Sequence, residues 1–296
     1  MADHSVWHRI RRSRTALVCV AILGALVIAA VAGPWIIPAR YAAPSDLQYA
    51  PPSWAHPFGT DLNGRDLLLR VLMGARVSLL VGICGAAVSL VIGTVYGLVA
   101  GYAGGRVDGA MMRLVDILYS IPRLIFVLVL INAFNRNLQN FAAARGWQEL
   151  VDYSSIVILV ISLGFIEWLT MARIVRGQVL ALKSRSFVAA ATALGQSHTR
   201  ILARHLLPNL LGVIIIYLTL TIPAVIIDES FLSFLGLGIQ PPQASLGSLL
   251  SDGVAAINPV RNIWWMLIFP AAAMALTLLA LNFLGDALRD ALDPRR

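Results

Sequence analysis

Few residues in this 296-residue sequence have the types and spacing that catalysis needs. A phosphate-binding loop ends in Gly-Lys-Ser/Thr, so that backbone amides and an ammonium cradle the phosphates, whereas the only lysine, Lys183, follows Leu182. ATP hydrolysis by that route is excluded. Protease chemistry is unserved as well, with no His-Glu-x-x-His and no Gly-x-Ser-x-Gly elbow. The two cysteines, Cys19 and Cys84, each sit inside an apolar run, which supports neither a disulfide framework nor a zinc site. All five histidines, His4, His8, His56, His198 and His205, fall outside the apolar runs. What remains is charge in costly places. Asp116, Arg123, Glu167, Asp228 and Glu229 lie in or at the ends of apolar stretches, where an ionised group marks a pathway or a buried pair. Asp116 and Arg123 are seven apart, hence on one face of an unbroken helix. With Tyr119, Ser120, Asn132 and Asn135, they are the candidates for lining a translocation path. The competing reading is solvation or pairing near a helix end for the charges, and bonding to neighbouring helices for the polar groups.

The elements that must position these residues are membrane helices. Hydrophobic residues make up 58% of the chain and charged ones 13%, against about a quarter charged in soluble domains; the mean hydropathy is +0.79. Six stretches reach the roughly 20 apolar residues that a helix needs to span a bilayer: 16–37, 77–103, 114–134, 154–172, 210–231 and 263–285. The net charge of +8 is distributed in short segments between these runs, which reads as topology rather than nucleic-acid binding. Arg9, Arg11, Arg12 and Arg14, the segment after the fourth span with Arg173, Arg176, Lys183, Arg185, Arg200 and Arg204, and the tail with Arg289, Arg295 and Arg296 all fall on one side, joined by Arg106 and Arg113. Arg40, Arg65, Arg70, Arg76, Arg136, Arg145 and Arg261 are sparser on the other. Both termini are therefore expected in the cytoplasm. The N-terminal run with Ala30-Val31-Ala32 also resembles a signal peptide, but it continues through Trp35 to Ile37 and is long enough to span.

In the second span Gly85, Ser89, Gly93, Gly97 and Gly101 recur every fourth residue, a face without bulk on which another helix can pack closely, either within the subunit or from a second subunit. Pro122 and Pro223 are candidate kinks in spans three and five.

Between spans four and five, residues 173–209 have mixed polarity and read as two short helices. Ser186 is the expected N-cap of the first, with Phe187, Ala190, Ala191 and Leu194 on one apolar face and Gly195 ending it. Ser197 is expected to cap a second that stops at Pro208, with Ile201, Leu202, His205 and Leu206 on one face and Arg200 and Arg204 on another. Small residues on an exposed apolar face suit close docking by a partner; the six cations suit anionic lipid equally well. No Asp or Glu occurs between Glu167 and Asp228, so the cations are expected to stand unopposed.

The stretch Phe187-Val188-Ala189-Ala190-Ala191-Thr192-Ala193-Leu194-Gly195, followed by Leu206-Leu207-Pro208-Asn209, resembles the EAA loop of ABC-importer permeases. Ala190, Ala191, Gly195 and Pro208 match that motif, and Ala189 replaces its usual glutamate. Further landmarks resemble the C-type permease of dipeptide, oligopeptide and nickel importers over nearly the whole chain: His56-Pro57-Phe58-Gly59-Thr60-Asp61, Gly64-Arg65-Asp66, Gly74-Ala75-Arg76-Val77-Ser78-Leu79, Glu229 to Gly238 with Gln240-Pro241-Pro242, and Asn282 to Pro294. Read from its residues, the Asp61 to Asp66 segment is a turn at Asn63-Gly64 with too few carboxylates for a calcium loop; it serves structure, a helix cap or an outer gate element.

The resemblance implies an all-α, six-helix type I permease in the bacterial inner membrane: residues 1–73 as the cytoplasmic N-terminus, first span and external connection, 74–286 as the permease core, and 287–296 as the tail. It implies coupling helices seated in a groove of an ATPase, a second homologous permease, two ATP-binding subunits or one fused chain, and an extracytoplasmic binding protein. ATP and Mg then bind on those partners, with no cofactor on this non-catalytic chain. Peptide is the expected substrate class and nickel the alternative, with a secondary transporter or channel the rival outside the family; no internal repeat supports that rival.

Overall fold

The computed structural model describes residues 14–36, 43–241 and 243–292. His4, His8, Arg9, Arg11, Arg12, Ile37, Arg40, Pro242, Pro294, Arg295 and Arg296, named above, lie outside them. Among the described residues the fold is helical: α1 Arg14–Ile36, α2 Leu67–Ala103, α3 Gly105–Ser120, α4 Arg123–Ala144, α5 Gln148–Asp152, α6 Ser154–Lys183, α7 Ser186–Ala193, α8 His198–Phe234, α9 Leu246–Ala255 and α10 Trp265–Leu292. Helices are what a chain this apolar can form in lipid, because each satisfies its own backbone amides. Five are long and apolar enough to cross a membrane, six if the pair α3 and α4 counts as one span.

That pair corrects the third span. It is not continuous: α3 and α4 meet at 90° across Ile121 and Pro122. Proline forces the residue before it out of the helical region, and Ile121 is extended at φ −79°, ψ 128°. Asp116 and Arg123 therefore share no face.

The bundle has two ends. The 184–197 turn, which joins α6 to α8, marks the loop end; the 43–66 segment and α9 mark the far end. At the far end Asp66 caps α2, its carboxylate accepting from the Leu69 amide at 3.1 Å. Gly64 turns at φ +70° beside Asn63, and an added Cβ would fall 2.1 Å from the Ser45 carbonyl oxygen. Buried Asp61 accepts from Arg65 at 2.9 Å and Arg70 at 2.8 Å, and Arg70 reaches Asp252 of α9 at 3.1 Å. Asp61 to Asp66 is thus built into the ends of α2, α9 and α10, where the Trp265 indole donates to the Thr60 carbonyl.

The small-residue face of α2 is occupied from within the chain. A Cβ on Gly93 would stand 2.5 Å from Met171 Cβ, one on Gly97 2.5 Å from the Ala172 carbonyl oxygen, and one on Gly101 2.8 Å from Val179 Cβ, so α6 lies backbone-close along it. A Cβ on Gly85 would stand 2.9 Å from Val225 Cγ1 of α8, and Ser89, between Gly85 and Gly93, is buried. Deep in the same bundle the Glu229 carboxylate accepts from Ser78 at 2.8 Å and Ser233 at 2.7 Å, and the Ser78 oxygen accepts from the Leu246 amide at the start of α9. Pro223 lies inside α8, which runs on through it.

Candidate functional site

At the loop end the chain leaves α6 only at Lys183, ten residues beyond the expected start of the loop at Arg173. The turn is tight: the Arg185 amide donates to Leu182 O, and the Val188 amide to Arg185 O. Arg185 therefore holds the N-cap position expected for Ser186, which becomes the first helical residue. Gly195, at φ +71°, closes α7 as expected, with Gly195 N–H donating to Thr192 O and Gln196 N–H to Ala191 O in a Schellman arrangement. Ser197 precedes α8 in extended backbone without a side-chain cap.

The apolar face of α7 is rotated from the expected one. Val188 and Ala191 are buried in a cluster with Val175 and Val179 of α6 and Ile201, Leu206 and Leu210 of α8. Phe187, Ala189 and Ala190 are exposed, and Leu194 is 80% exposed. One side of α7 is thereby pinned to the bundle and the other offers two alanines and a leucine to a partner.

Pro208 does not stop the second helix. Residues 201–206 widen into a π-turn, in which Leu207 N–H donates to Leu202 O, and the helix passes Pro208 into the long apolar run to Phe234. A five-residue register accommodates a residue that has no N–H to give. Ile201 and Leu206 are buried, Leu202 and His205 partly so, and Arg200 and Arg204 are exposed on the opposite side.

Nor do all six cations stand unopposed. Arg176 binds Asp108 of α3 through two hydrogen bonds of 2.5 and 2.6 Å, Arg173 binds Asp116 at 2.6 Å, and Lys183 caps the Tyr102 carbonyl at the end of α2. The carboxylates come from α3, about 60 residues upstream, where sequence reading had not sought them; Asp108 is the residue it missed. Arg185, Arg200 and Arg204 have no ion-pair partner among the described residues.

A second feature lies at the α3 and α4 break. A cavity of about 250 Å³ opens there, lined by Tyr119, Ser120, Arg123, Phe126, Phe165 and Glu167 among others. Tyr119 bonds to Thr170 at 2.5 Å and carries the Arg173 guanidinium over its ring at 4.2 Å. Arg123, freed from the register with Asp116, instead pairs with Glu167 of α6 and, at 2.6 Å, with Asp228 of α8. Three of the five charges singled out in the apolar stretches thus meet at one point. Tyr119 and Ser120 face this cavity, whereas Asp116 is engaged with Arg173, Asn132 bonds back to Leu128 O in its own helix, and Asn135 to Ser155. Pro122, a candidate kink of span three in the sequence, was the signal for this junction.

Comparison with known proteins places these features in context. Residues 93–296 match the model of the binding-protein-dependent transport system inner membrane component, and residues 4–52 that of the N-terminal TM domain of oligopeptide transport permease C. The chain is 43% identical to the oligopeptide transport system permease protein OppC of Haemophilus influenzae, over 100% of this chain and 90% of that one. It is also 43% identical to the dipeptide transport system permease protein DppC of Bacillus subtilis, over 98% and 84% of the two chains. Among solved structures it is similar to a chain of the MetNI methionine ABC transporter in inward facing conformations, with a TM-score of 0.56, 19% identity, and coverage of 77% of this chain and 98% of that one.

Proposed function

The chain belongs to the family of inner membrane components of binding-protein-dependent transport systems, and from that premise we propose that it is one permease subunit of an ATP-driven importer of di- and oligopeptides. The observation that carries the proposal is the build of the 184–206 segment. Val188 and Ala191 anchor α7 in a core shared with α2, α6 and α8, while Ala189, Ala190 and Leu194 project beside the unpaired Arg185, Arg200 and Arg204. A rigid knob with small side chains lets a partner come close to backbone, and a push on it moves whole helices rather than a slack loop. The partner in this reading is an ATPase subunit, which holds the ATP and Mg. With Ala189 in the glutamate position, the contact is apolar and cationic from this side.

A second, related permease completes the path, and an extracytoplasmic protein delivers the peptide. Both termini and the loop end then lie in the cytoplasm, a reading that the concentration of arginine there supports. The test is ATP-dependent uptake of radiolabelled trialanine by vesicles containing the reconstituted complex, together with retention of the ATPase on the tagged permease. Ala190→Trp, which adds bulk on exposed α7 and leaves the buried side alone, is expected to abolish both. Uptake driven by an ion gradient without ATPase, or normal coupling in Ala190→Trp, would overturn the reading; uptake of nickel but not peptide would overturn the substrate class.

A further inference from the structure

We propose that the cavity at the α3 and α4 break is a transit site for the amino terminus of the peptide, with the Glu167 carboxylate taking the α-ammonium; the inference rests on the peptide reading above. One guanidinium faces two carboxylates, so with all three groups ionised the Arg123, Glu167 and Asp228 cluster leaves one negative charge unmatched beside the cavity. Such a charge is costly there unless a cation joins it. Arg173 and Arg176, the next cations along α6, are bound to Asp116 and Asp108 and do not serve.

The geometry assigns separate roles within the cluster. Glu167 and Arg123 line the cavity, whereas Asp228 adjoins it only through Arg123. Side-chain exposure is 42% for Arg123, 18% for Asp228 and 10% for Glu167, so Glu167 is the most buried of the three and reaches the cavity from its wall. A primary ammonium entering the cavity pairs with Glu167 while the guanidinium remains with Asp228 at 2.6 Å, and two positive groups then balance two negative ones. No proton need move.

The rest of the wall suits a peptide end rather than an inorganic cation. Phe126, Phe165 and Tyr119 supply aromatic faces, and Ser120 a hydroxyl. About 250 Å³ falls just under the usual volume of a small-molecule pocket, enough for a terminal residue and too little for an extended oligopeptide. A site that reads only the ammonium and one variable side chain gives the weak, sequence-tolerant binding that a transit point needs.

The test uses the detergent-solubilised complex of the full chain with its permease and ATPase partners and without binding protein, so that selectivity of delivery plays no part. The probe is Ala-photoleucine-Ala, a tripeptide whose diazirine crosslinks on illumination, and labelled residues are mapped by mass spectrometry. Label is expected on Phe126 or Phe165, displaced by millimolar trialanine and about tenfold less well by N-acetyl-trialanine, the ratio for losing one charge-assisted contact. Glu167→Gln should lose most of this label. Label elsewhere, equal competition by the acetylated peptide, or undiminished label in Glu167→Gln would overturn the site. Competition on the wild-type complex needs no variant to fold. Uptake of trialanine by wild-type vesicles is measured in parallel: its absence would sink the peptide reading, and its presence without competed label would sink the site alone.

Discussion

Arg176 and Arg173 sit three apart on α6 and differ in what their partners can contribute. Asp108 is buried and meets Arg176 bidentately, so Asp108→Asn removes charge-assisted bonds from a protected pair and is expected to cost about 2 kcal/mol. Asp116 and Arg173 are both exposed, and pairs of that kind contribute little. Thermal melting of the detergent-solubilised chain should therefore fall clearly for Asp108→Asn and hardly for Asp116→Asn; equal losses would mean that the difference in burial does not matter. The Asp108 pairing was illegible in the sequence because its partner is 68 residues away and Asp108 stands outside the apolar runs, where charge draws no notice. The triad was legible in part: burial cost singled out Arg123, Glu167 and Asp228 individually, but a seven-residue spacing gave Arg123 the wrong neighbour.

At the scale of elements, periodicity was readable and interruption was not. Small residues every fourth position define one face of α2 whatever lies opposite; the structure shows that α6, with Val225 of α8, fills it. Gly97→Ala tests that contact, since the new Cβ would sit 2.5 Å from the Ala172 carbonyl oxygen and 2.8 Å from Val175 Cβ. Backbone cannot yield as a flexible side chain does, so a loss of about 1–3 kcal/mol is expected. Gly177→Ala, on α6 with nothing within 4 Å, should instead hold or raise the melting temperature through helix propensity. The two breaks mislead in opposite directions. The apolar run from 114 to 134 continues across Ile121 and Pro122, so hydropathy joined what the proline divides. Pro208 looked like a stop, yet the π-turn absorbs it and α8 carries the 198–206 segment directly into a span. Proline position alone does not separate these outcomes; the surrounding hydrogen-bond register does.

The whole molecule links the two sites through the helices they share. α6 carries Val175 and Val179 against the pinned side of α7 at its loop end and Glu167 farther along; α8 carries Ile201 and Leu206 against the same core and Asp228 toward the far end. α7 is thus packed against the two helices that carry these carboxylates, and the Arg123 cluster is where relative movement of α4, α6 and α8 would register. Such coupling requires the loop end to face the cytoplasm, which labelling can decide. With Cys84, which is exposed, and Cys19, which is buried, both replaced by alanine, Ala190→Cys reports the loop end and Val260→Cys the far end, where Val260 is 90% exposed in the turn before α10. A membrane-impermeant maleimide applied to intact spheroplasts should modify Val260→Cys and leave Ala190→Cys untouched, and inverted vesicles should give the reverse. Within inverted vesicles, Ala190→Cys should be shielded while the ATPase is bound and become reactive once it is stripped. Labelling of Ala190→Cys from outside the spheroplast would overturn the orientation and the docking together, because a knob on that face could not meet an ATP-hydrolysing partner.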